Sequence, residues 1–492
     1  MFNTTYPENV GICSGHIADY ISFLKRRGII MHSIIMLRGN DIFAEYYYAP
    51  FNKDFRHRMY SETKSYVSIA IGLLEEEGKL NLDDKIADWF PENVTENTCD
   101  YLKEQTIRNM LMMETGVNCD YWFTSENPDR VDLYFKGKQK PYPAGTVWEY
   151  DSAGSQVLCA LVEKITGKYM LDYLKEKLFN KMGTFQTAEI LKTRNGVSWG
   201  DSALVCTPRD MLSFGRFVMN YGTWNGERLM NEKYLREATS QLAYNSPAGF
   251  YHSDSCGYGY QIWKMENDSF AFVGMGGQLT ICVPDKDFIF VCTGDNQGNP
   301  HAYDRIVNGL FDFVVNKIKD SPVAVCEKEV LRLKEETSDL KLWHIDGKEK
   351  TCLTDKINGK AFKCENNRCG ITEFSLNFNE DGTGEFNYIN EQGAKTIPFG
   401  INKNVFAKFP QLGYSNEYGS ARTTDGFMYD CAASGAWIEE EKFMLRVQII
   451  DKYFGQLTVT FAFKGDIVSV LMQKTAEDFL NEYHGYILGH KE

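Results

Sequence analysis

The sequence lacks the features that would carry a chain into or across a membrane. None of the apolar runs in its 492 residues approaches the ~18 residues that a membrane-spanning helix needs. The N-terminal stretch MFNTTYPENVGICSG has no basic region followed by an apolar stretch, so it does not have the pattern of a secretory signal. We therefore expect a cytoplasmic protein with no membrane partner.

Patterns for metal ligation and nucleic-acid binding are also scarce. The 13 cysteines do not fall into paired Cys-x-x-Cys sets, and the eight histidines show no ligand spacing. This usage predicts reduced thiols in a reducing compartment and neither a metal site nor another cofactor. The net charge of -14 argues against a nucleic-acid partner.

The first two thirds of the chain mix strands and helices. Residues 33–48 have the pattern of a β-hairpin, residues 90–240 are mostly helical, and short β-like runs follow residue 258. We expect an α+β domain over residues 1–325. Its antiparallel sheet is assembled from both ends of the domain and flanked by helices, with a helical insertion beside it.

The last third changes to alternation with a period of two. Phe374, Leu376 and Phe378 alternate with polar residues, and similar runs recur between residues 345 and 475. Residues 320–335 have the pattern of a linker. We therefore predict a second domain over residues 326–492, an all-β antiparallel barrel or sandwich whose role the sequence does not indicate.

A candidate nucleophile lies in the run MYSETKSYVSIAIG. Ser61 begins a predicted helix and Lys64 follows three residues later, so both side chains lie on one face and the lysine can reach the hydroxyl. A serine needs such a neighbour to take its proton. The Ser-x-x-Lys pattern occurs three times, but only at Ser61 do β-like runs precede it and a strongly apolar helix follow it.

Two further elements carry candidate functional groups. Tyr150 and Ser152 lie in a predicted loop just before a helix, where a tyrosine oxygen aimed at Ser61 could shuttle a proton. Later, Gly276 and Gly277 lie on a predicted strand. Glycines are costly in a strand unless a backbone or ligand approaches closely, although a β-bulge is the alternative there.

These three elements, in this order, resemble the penicillin-binding-protein-like, or class C β-lactamase-like, serine hydrolases over roughly residues 30–320. The resemblance implies that Ser61 forms the acyl-enzyme and that Lys64 and Tyr150 share general-base and general-acid duty. It also implies that Ser152 completes the hydrogen-bond network. The backbone N–H groups of Ser61 and Gln278 would form the oxyanion hole.

The residue before the glycine pair departs from the family pattern. Met275 stands where β-lactamases and penicillin-binding proteins have a lysine, and a methionine cannot bind a substrate carboxylate. Members with an apolar residue there resemble family VIII carboxylesterases and 6-aminohexanoate-dimer hydrolases. We therefore expect hydrolysis of an ester or amide of a small molecule or short peptide, with Tyr121 and Trp122 as candidate pocket residues.

Two alternatives remain open. One is a β-lactamase or a D-alanyl-D-alanine peptidase. The other is a catalytically silent binding or sensor protein with the same fold, against which the retention of Ser61, Lys64 and Tyr150 argues. The sequence leaves the natural substrate and the oligomeric state open.

Overall fold

The chain folds into two compact units. The computed structural model describes residues 2–119, 125–245, 257–412, 427–477 and 479–492. Within these ranges the first unit extends to Lys341 and the second begins at Leu342.

The compact units therefore divide after Lys341, whereas the sequence predicts a boundary near residue 325. The reason is a helix, Glu327–Thr337, where the sequence pattern indicated a linker. This helix packs on the first helix of the first unit, and its Leu333 is buried. Arg332 donates to the carbonyl of Gly15 at 2.7 Å and to Asp19 at 2.8 Å. The helix has few apolar residues, which is why its pattern reads as a linker.

The helices of the first unit are mostly short and surround its sheet. None of the helices in the described ranges has both the length and the apolar character needed to cross a bilayer. They are α1 (Ser14–Arg26), α2 (Thr63–Glu76), α3 (Ile86–Trp89), α4 (Asp100–Lys103), α5 (Ile107–Leu111), α6 (Arg130–Phe135), α7 (Ser152–Thr166), α8 (Met170–Leu174), α9 (Asn180–Met182), α10 (Pro208–Met219), α11 (Glu232–Ala238), α12 (Ala302–Phe313) and α13 (Glu327–Thr337).

The strands of the first unit come from both ends of its sequence. They are β1 (Asn3–Thr4), β2 (Met31–Arg38), β3 (Asp41–Tyr47), β4 (His57–Arg58), β5 (Val117–Asn118), β6 (Lys138–Gln139), β7 (Glu189–Ile190), β8 (Leu204–Cys206), β9 (Thr223–Trp224), β10 (Glu227–Arg228), β11 (Trp263–Lys264), β12 (Phe270–Gly274), β13 (Gln278–Val283) and β14 (Phe288–Gly294).

Seven of these strands form one sheet in the order β1-β3-β2-β14-β13-β12-β11. Apart from the parallel pair β1–β3, neighbouring strands are antiparallel. The N-terminal hairpin β2–β3 thus joins the C-terminal strands through β2 and β14, as the sequence predicts. The run GYGYQIW contributes only Trp263 to a strand, where the sequence predicts a longer one.

The α+β class and the sheet assembled from both ends are confirmed. The helical segment between β4 and β11 lies between the two sequence segments that build the sheet. Its helix α2 is buried almost throughout, from Thr63 to Leu74, which matches the strongly apolar pattern of that stretch.

The second unit is a closed β-barrel. Its ten-stranded sheet closes through a parallel pairing of β18 (Gly393–Ile401) with β20 (Asp430–Glu439), so the barrel alternative of the prediction is confirmed and the sandwich is not. The alternating apolar residues fill the interior, where the rings of Phe374 and Phe461 lie 5.5 Å apart. Its elements are α14 (Thr354–Ile357), β15 (Ala361–Cys364), β16 (Glu373–Phe378), β17 (Thr383–Asn390), β18 (Gly393–Ile401), β19 (Val405–Lys408), β20 (Asp430–Glu439), β21 (Lys442–Ile450), β22 (Phe454–Lys464), β23 (Ile467–Thr475) and β24 (Gly485–Lys491).

Candidate active site

Ser61 lies in a tight turn that precedes helix α2. The turn is one 3-10 turn, Tyr60–Glu62, and α2 itself begins at Thr63, two residues after the predicted start. Tyr60 has a φ of 48°, a left-handed conformation that is uncommon for a large side chain. The buried guanidinium of Arg58 lies over the Tyr60 ring, with its Cζ 4.3 Å from the ring centroid. Strain immediately before the serine is typical of a functional turn.

Lys64 points back towards this serine. Its Nζ donates to Oγ of Ser61 at 2.9 Å and to the backbone carbonyl of Asp201 at 2.6 Å. The Lys64 residue is only 1% exposed, whereas Ser61 is half-buried and so remains accessible. The predicted i,i+3 contact is therefore present, and the amine is held in place by a second acceptor.

Tyr150 also lies beside the lysine. Nζ of Lys64 is 5.1 Å from the centroid of the Tyr150 ring, so Ser61, Lys64 and Tyr150 form one cluster. The ring stacks on Trp263 at a centroid distance of 5.9 Å. The structure thus brings the three predicted catalytic side chains together.

Ser152 is placed differently from the other predicted site residues. It is the first residue of α7, directly after the N-cap Asp151, whose carboxylate accepts the backbone N–H of Gly154 at 2.8 Å. Among the described residues, the Ser152 hydroxyl makes no hydrogen bond to Lys64 or Tyr150. Its supporting role remains a prediction.

The glycine pair lies in a turn and not on a strand. Gly276 and Gly277 have φ values of 83° and 100° and connect β12 to β13, so the strand assignment for them is wrong. Such angles suit glycine because a side chain would be strained there. Met275, which is half-buried, begins this turn, and Gln278 opens β13.

The same hairpin approaches the Ser61 turn very closely. A Cβ built on Gly274 would lie 2.0 Å from the carbonyl oxygen of Met59, so only glycine fits at this position. This contact explains why the chain has a glycine at the end of β12, and it brings the backbone of the hairpin to that of the nucleophile turn.

Two buried side-chain amides fix the conformation of the hairpin turn. Gln278 is fully buried, and its Nε2 donates to the carbonyls of Met275 at 2.7 Å and Gly294 at 2.9 Å. Asn296 donates through Nδ2 to the carbonyls of Gly276 at 3.1 Å and Ile30 at 2.8 Å. The backbone N–H of Gln278 therefore belongs to a turn with little freedom.

Two residues of the site, Asp201 and Gln261, are not predicted from the sequence. Asp201 supplies a backbone carbonyl to Lys64, a role that leaves no trace in residue type. Gln261 links three elements, since its carbonyl accepts from Ser65, its Oε1 from Ser155 and its Nε2 donates to the carbonyl of Met110. Its positive φ of 58° shows how specialised the position is, but no local pattern reveals it.

The candidate pocket residues, Tyr121 and Trp122, lie outside the described residues. His57 is buried beside His32, with 3.3 Å between ring nitrogens, and burial lowers its pKa to about 3. Within the described ranges, no group of three His, Cys, Asp or Glu side chains is arranged to hold a metal ion.

A comparison with protein families identifies the fold. The family model described as "Beta-lactamase" matches residues 21–310, more than half of the chain, and this stretch contains Ser61, Lys64, Tyr150 and the glycine hairpin. The chain belongs to the beta-lactamase family. The resemblance read from the sequence motifs is therefore confirmed.

Relatives within the beta-lactamase family are distant. The 6-aminohexanoate-dimer hydrolase of Paenarthrobacter ureafaciens is 25% identical over 286 residues, which cover 53% of this chain and 71% of that protein. Penicillin-binding protein 4* of Bacillus subtilis is 25% identical over 191 residues, or 35% of this chain and 41% of that protein.

A solved structure is similar as well. "Putative 6-aminohexanoate-dimer hydrolase from Bacillus anthracis" matches with a TM-score of 0.53 and 16% identity, covering 64% of this chain and 86% of that one. At this identity the likeness shows the fold alone. Together with the family match, it places the protein among the hydrolases of the beta-lactamase fold.

Proposed function

We propose that this protein is a serine hydrolase that forms an acyl-enzyme on Ser61 and cleaves an ester or amide of a small molecule or short peptide. The observation that carries the proposal is the pair of hydrogen bonds of Lys64 Nζ, to Ser61 Oγ at 2.9 Å and to the Asp201 carbonyl at 2.6 Å. A base within hydrogen-bonding distance of the nucleophile is the geometric requirement for general-base catalysis.

In the first half-reaction, Nζ of Lys64 accepts the proton of Ser61 as Oγ attacks the carbonyl carbon of the substrate. The bond from Oγ to carbon forms, and negative charge develops on the carbonyl oxygen. This oxygen accepts hydrogen bonds from the backbone N–H groups of Ser61 and Gln278. Collapse of this intermediate breaks the bond to the leaving alcohol or amine. Tyr150, beside Lys64, passes the proton to that group.

In the second half-reaction, water replaces the leaving group. Tyr150 and Lys64 take a proton from the water as its oxygen attacks the acyl carbon. The bond to Ser61 then breaks, Oγ regains a proton and the carboxylic acid leaves. The same residues serve both halves because the second step reverses the chemistry of the first.

Met275 and the relatives support the proposed substrate class. The side chain that begins the hairpin turn is an apolar thioether, which gives a substrate carboxylate no ionic partner at this position. One relative is named for hydrolysis of the 6-aminohexanoate dimer. The first fact favours a substrate without a carboxylate bound at this position over a β-lactam or a D-alanyl-D-alanine terminus. The second favours an amide bond.

Labelling with a fluorophosphonate probe tests the proposal. We expect the wild-type protein to take one label, located on Ser61 by mass spectrometry, and Ser61→Ala to take none. Ser338→Ala is the matched control, because Ser338 also stands three residues before a lysine but bonds the Glu335 carbonyl at 3.0 Å. Absence of label on the wild type, or a label elsewhere, would refute the assignment.

A further inference from the structure

Glu62, the residue after the proposed nucleophile, is a buried carboxyl group that the mechanism above does not use. It is 0% exposed and lies in the same 3-10 turn as Ser61. The Thr280 hydroxyl donates to its Oε1 at 3.0 Å. Oε2 is also buried and has no hydrogen-bond partner among the described residues.

The position of this bond gives it a role in the geometry of the site. Thr280 lies two residues after Gln278 on β13, and Glu62 directly follows Ser61. The bond therefore joins the two backbone segments that carry the proposed oxyanion donors. On the other side of Ser61, Gly274 meets the Met59 carbonyl, so the hairpin holds the nucleophile turn from both sides.

The surroundings of Glu62 suit a neutral acid and not a carboxylate. An ionised carboxylate needs two or three donors to offset burial, and here Thr280 supplies one. The titratable groups that face Glu62 from α2, β8, β13 and β14 are Tyr66, Cys206, Cys282 and Cys292. Burial raises the pKa of each of these four, so they stay neutral.

Two charged groups on α10, Asp210 and Arg216, act on these neighbours. Asp210 faces Tyr66 and Cys206, and it would disfavour a second negative charge. Arg216 faces Cys282 but pairs with Asp287. Burial raises the pKa of Glu62 to about 8, although the Thr280 hydroxyl lowers it. Glu62 is thus protonated at neutral pH.

We infer that Glu62 is a positioning residue: its protonated carboxyl group, bonded to Thr280, holds the Ser61 turn against strand β13 and so sets the distance between the two oxyanion donors. The inference rests on the proposed function of Ser61. When Glu62 loses its proton, a charge with a single donor is left in a closed interior. The turn must then shift to reach water, and acylation of Ser61 slows.

The test measures the rate of fluorophosphonate labelling of Ser61 between pH 6 and 9.5 in the full-length protein. The wild-type rate is expected to fall above about pH 8, where Glu62 ionises. In Glu62→Gln, whose side chain cannot ionise, the labelling rate should begin to fall at a pH at least one unit higher. Its plateau rate should lie within about threefold of the wild-type rate. Glu76→Gln, at an exposed site at the end of α2, should follow the wild-type profile.

A second pair of variants gives a shift that a merely structural role would not produce. Thr280→Val removes the donor that stabilises the ionised form, so the alkaline fall should move to higher pH while Glu62 remains. Thr280→Ser keeps the hydroxyl and should retain the wild-type profile. If Glu62→Gln and Thr280→Val both keep the wild-type alkaline limb, the inference is wrong.

Thermal unfolding separates this inference from the proposed function. Because the pKa of Glu62 is raised on folding, the stability of the wild type falls relative to Glu62→Gln as pH rises from about 4.5 to 8, and the difference then levels off. We expect the Tm of the wild type to fall relative to that of Glu62→Gln by about 2 °C per pH unit over this range. If the Tm of the wild type shifts in this way but Ser61 takes no label, Glu62 is protonated but the proposed function fails. A constant Tm difference overturns the protonated state itself.

Discussion

At the scale of single residues, the bond between Ser61 and Lys64 separates one Ser-x-x-Lys triplet from two others. Ser22 and Lys25 lie along α1, and Ser338 caps the end of α13. Among the described hydrogen bonds, only Lys64 reaches its serine. The difference lies in burial: α2 is enclosed by the fold, so a lysine at its start turns to the nearest acceptors. Lys25 is exposed on α1, and Lys341 pairs with Asp339 at 2.7 Å.

A second residue-scale feature, Met275, leads to a prediction about substrate choice. We expect the wild type to hydrolyse a chromogenic cephalosporin more slowly than p-nitrophenyl butyrate. Met275→Lys should raise the cephalosporin-to-ester ratio of kcat/KM about 10–100-fold, because a charge-assisted hydrogen bond contributes ~1.5–3 kcal/mol. Met275→Leu keeps the position apolar and serves as the control.

The result that contradicts this argument is a wild type that prefers the cephalosporin. In that case the carboxylate is bound elsewhere, and the β-lactamase alternative regains its place. A gain of Met275→Lys on both substrates equally would also contradict it, since a lysine that binds a carboxylate should discriminate between them.

The residue scale also shows what sequence reasoning can recover at a site. Ser61, Lys64, Tyr150 and the glycine pair could be named because their chemistry depends on residue type. The carbonyl of Asp201 could not, because any residue offers one. Glu62 could not be named either, since nothing in the sequence SETK indicates which side chain of the turn faces the interior.

At the scale of elements, the hairpin β12–β13 is the part of the fold that completes the site. Short runs of β-forming residues predict strands here, but they do not locate the turn between the two strands. The turn depends on Gln278 and Asn296, whose amides bond backbone groups that the sequence does not mark. The 3-10 turn before α2 was unpredicted for a similar reason, because its strained Tyr60 is held by tertiary contacts.

Gly274→Ala tests how closely this hairpin must approach the Ser61 turn. The added Cβ would lie 2.0 Å from the Met59 carbonyl, so one of the two backbones has to move. A displacement of about 1 Å at a catalytic site lowers rates ~100-fold, and we expect that loss in the fluorophosphonate labelling rate. The free energy of unfolding should fall by about 1–3 kcal/mol.

The control for this variant is Gly489→Ala in the barrel. Its nearest contact is a side-chain carbon of Val468 at 3.0 Å, which can move, and it lies in the other unit. It should leave labelling unchanged. If Gly274→Ala labels at the wild-type rate, the close approach of the hairpin does not set the geometry of the site.

At the scale of the whole molecule, the two patterns of periodicity in the sequence predicted two kinds of unit, and both are present. The sequence predicts the join near residue 325, whereas the compact units divide after Lys341. Helix α13 carries many charged residues, so it has the composition of a linker, yet α1 offers it Gly15, where close approach is possible, and accepts the side chain of Arg332. Tertiary contacts of this kind override a local pattern.

The assignment of α13 to the first unit can be tested with two truncated chains, one ending at Lys341 and one ending at Val325. We expect the longer fragment to unfold in one cooperative transition and to label at Ser61. The shorter fragment loses the burial of Leu333 and the bonds of Arg332 to α1, and so should be less stable by ~3 kcal/mol. Arg332→Ala in the longer fragment should give an intermediate stability, because it removes the two bonds but leaves Leu333 buried. Equal Tm values for the two fragments would show that α13 contributes nothing to the first unit, and the join would then lie near residue 325.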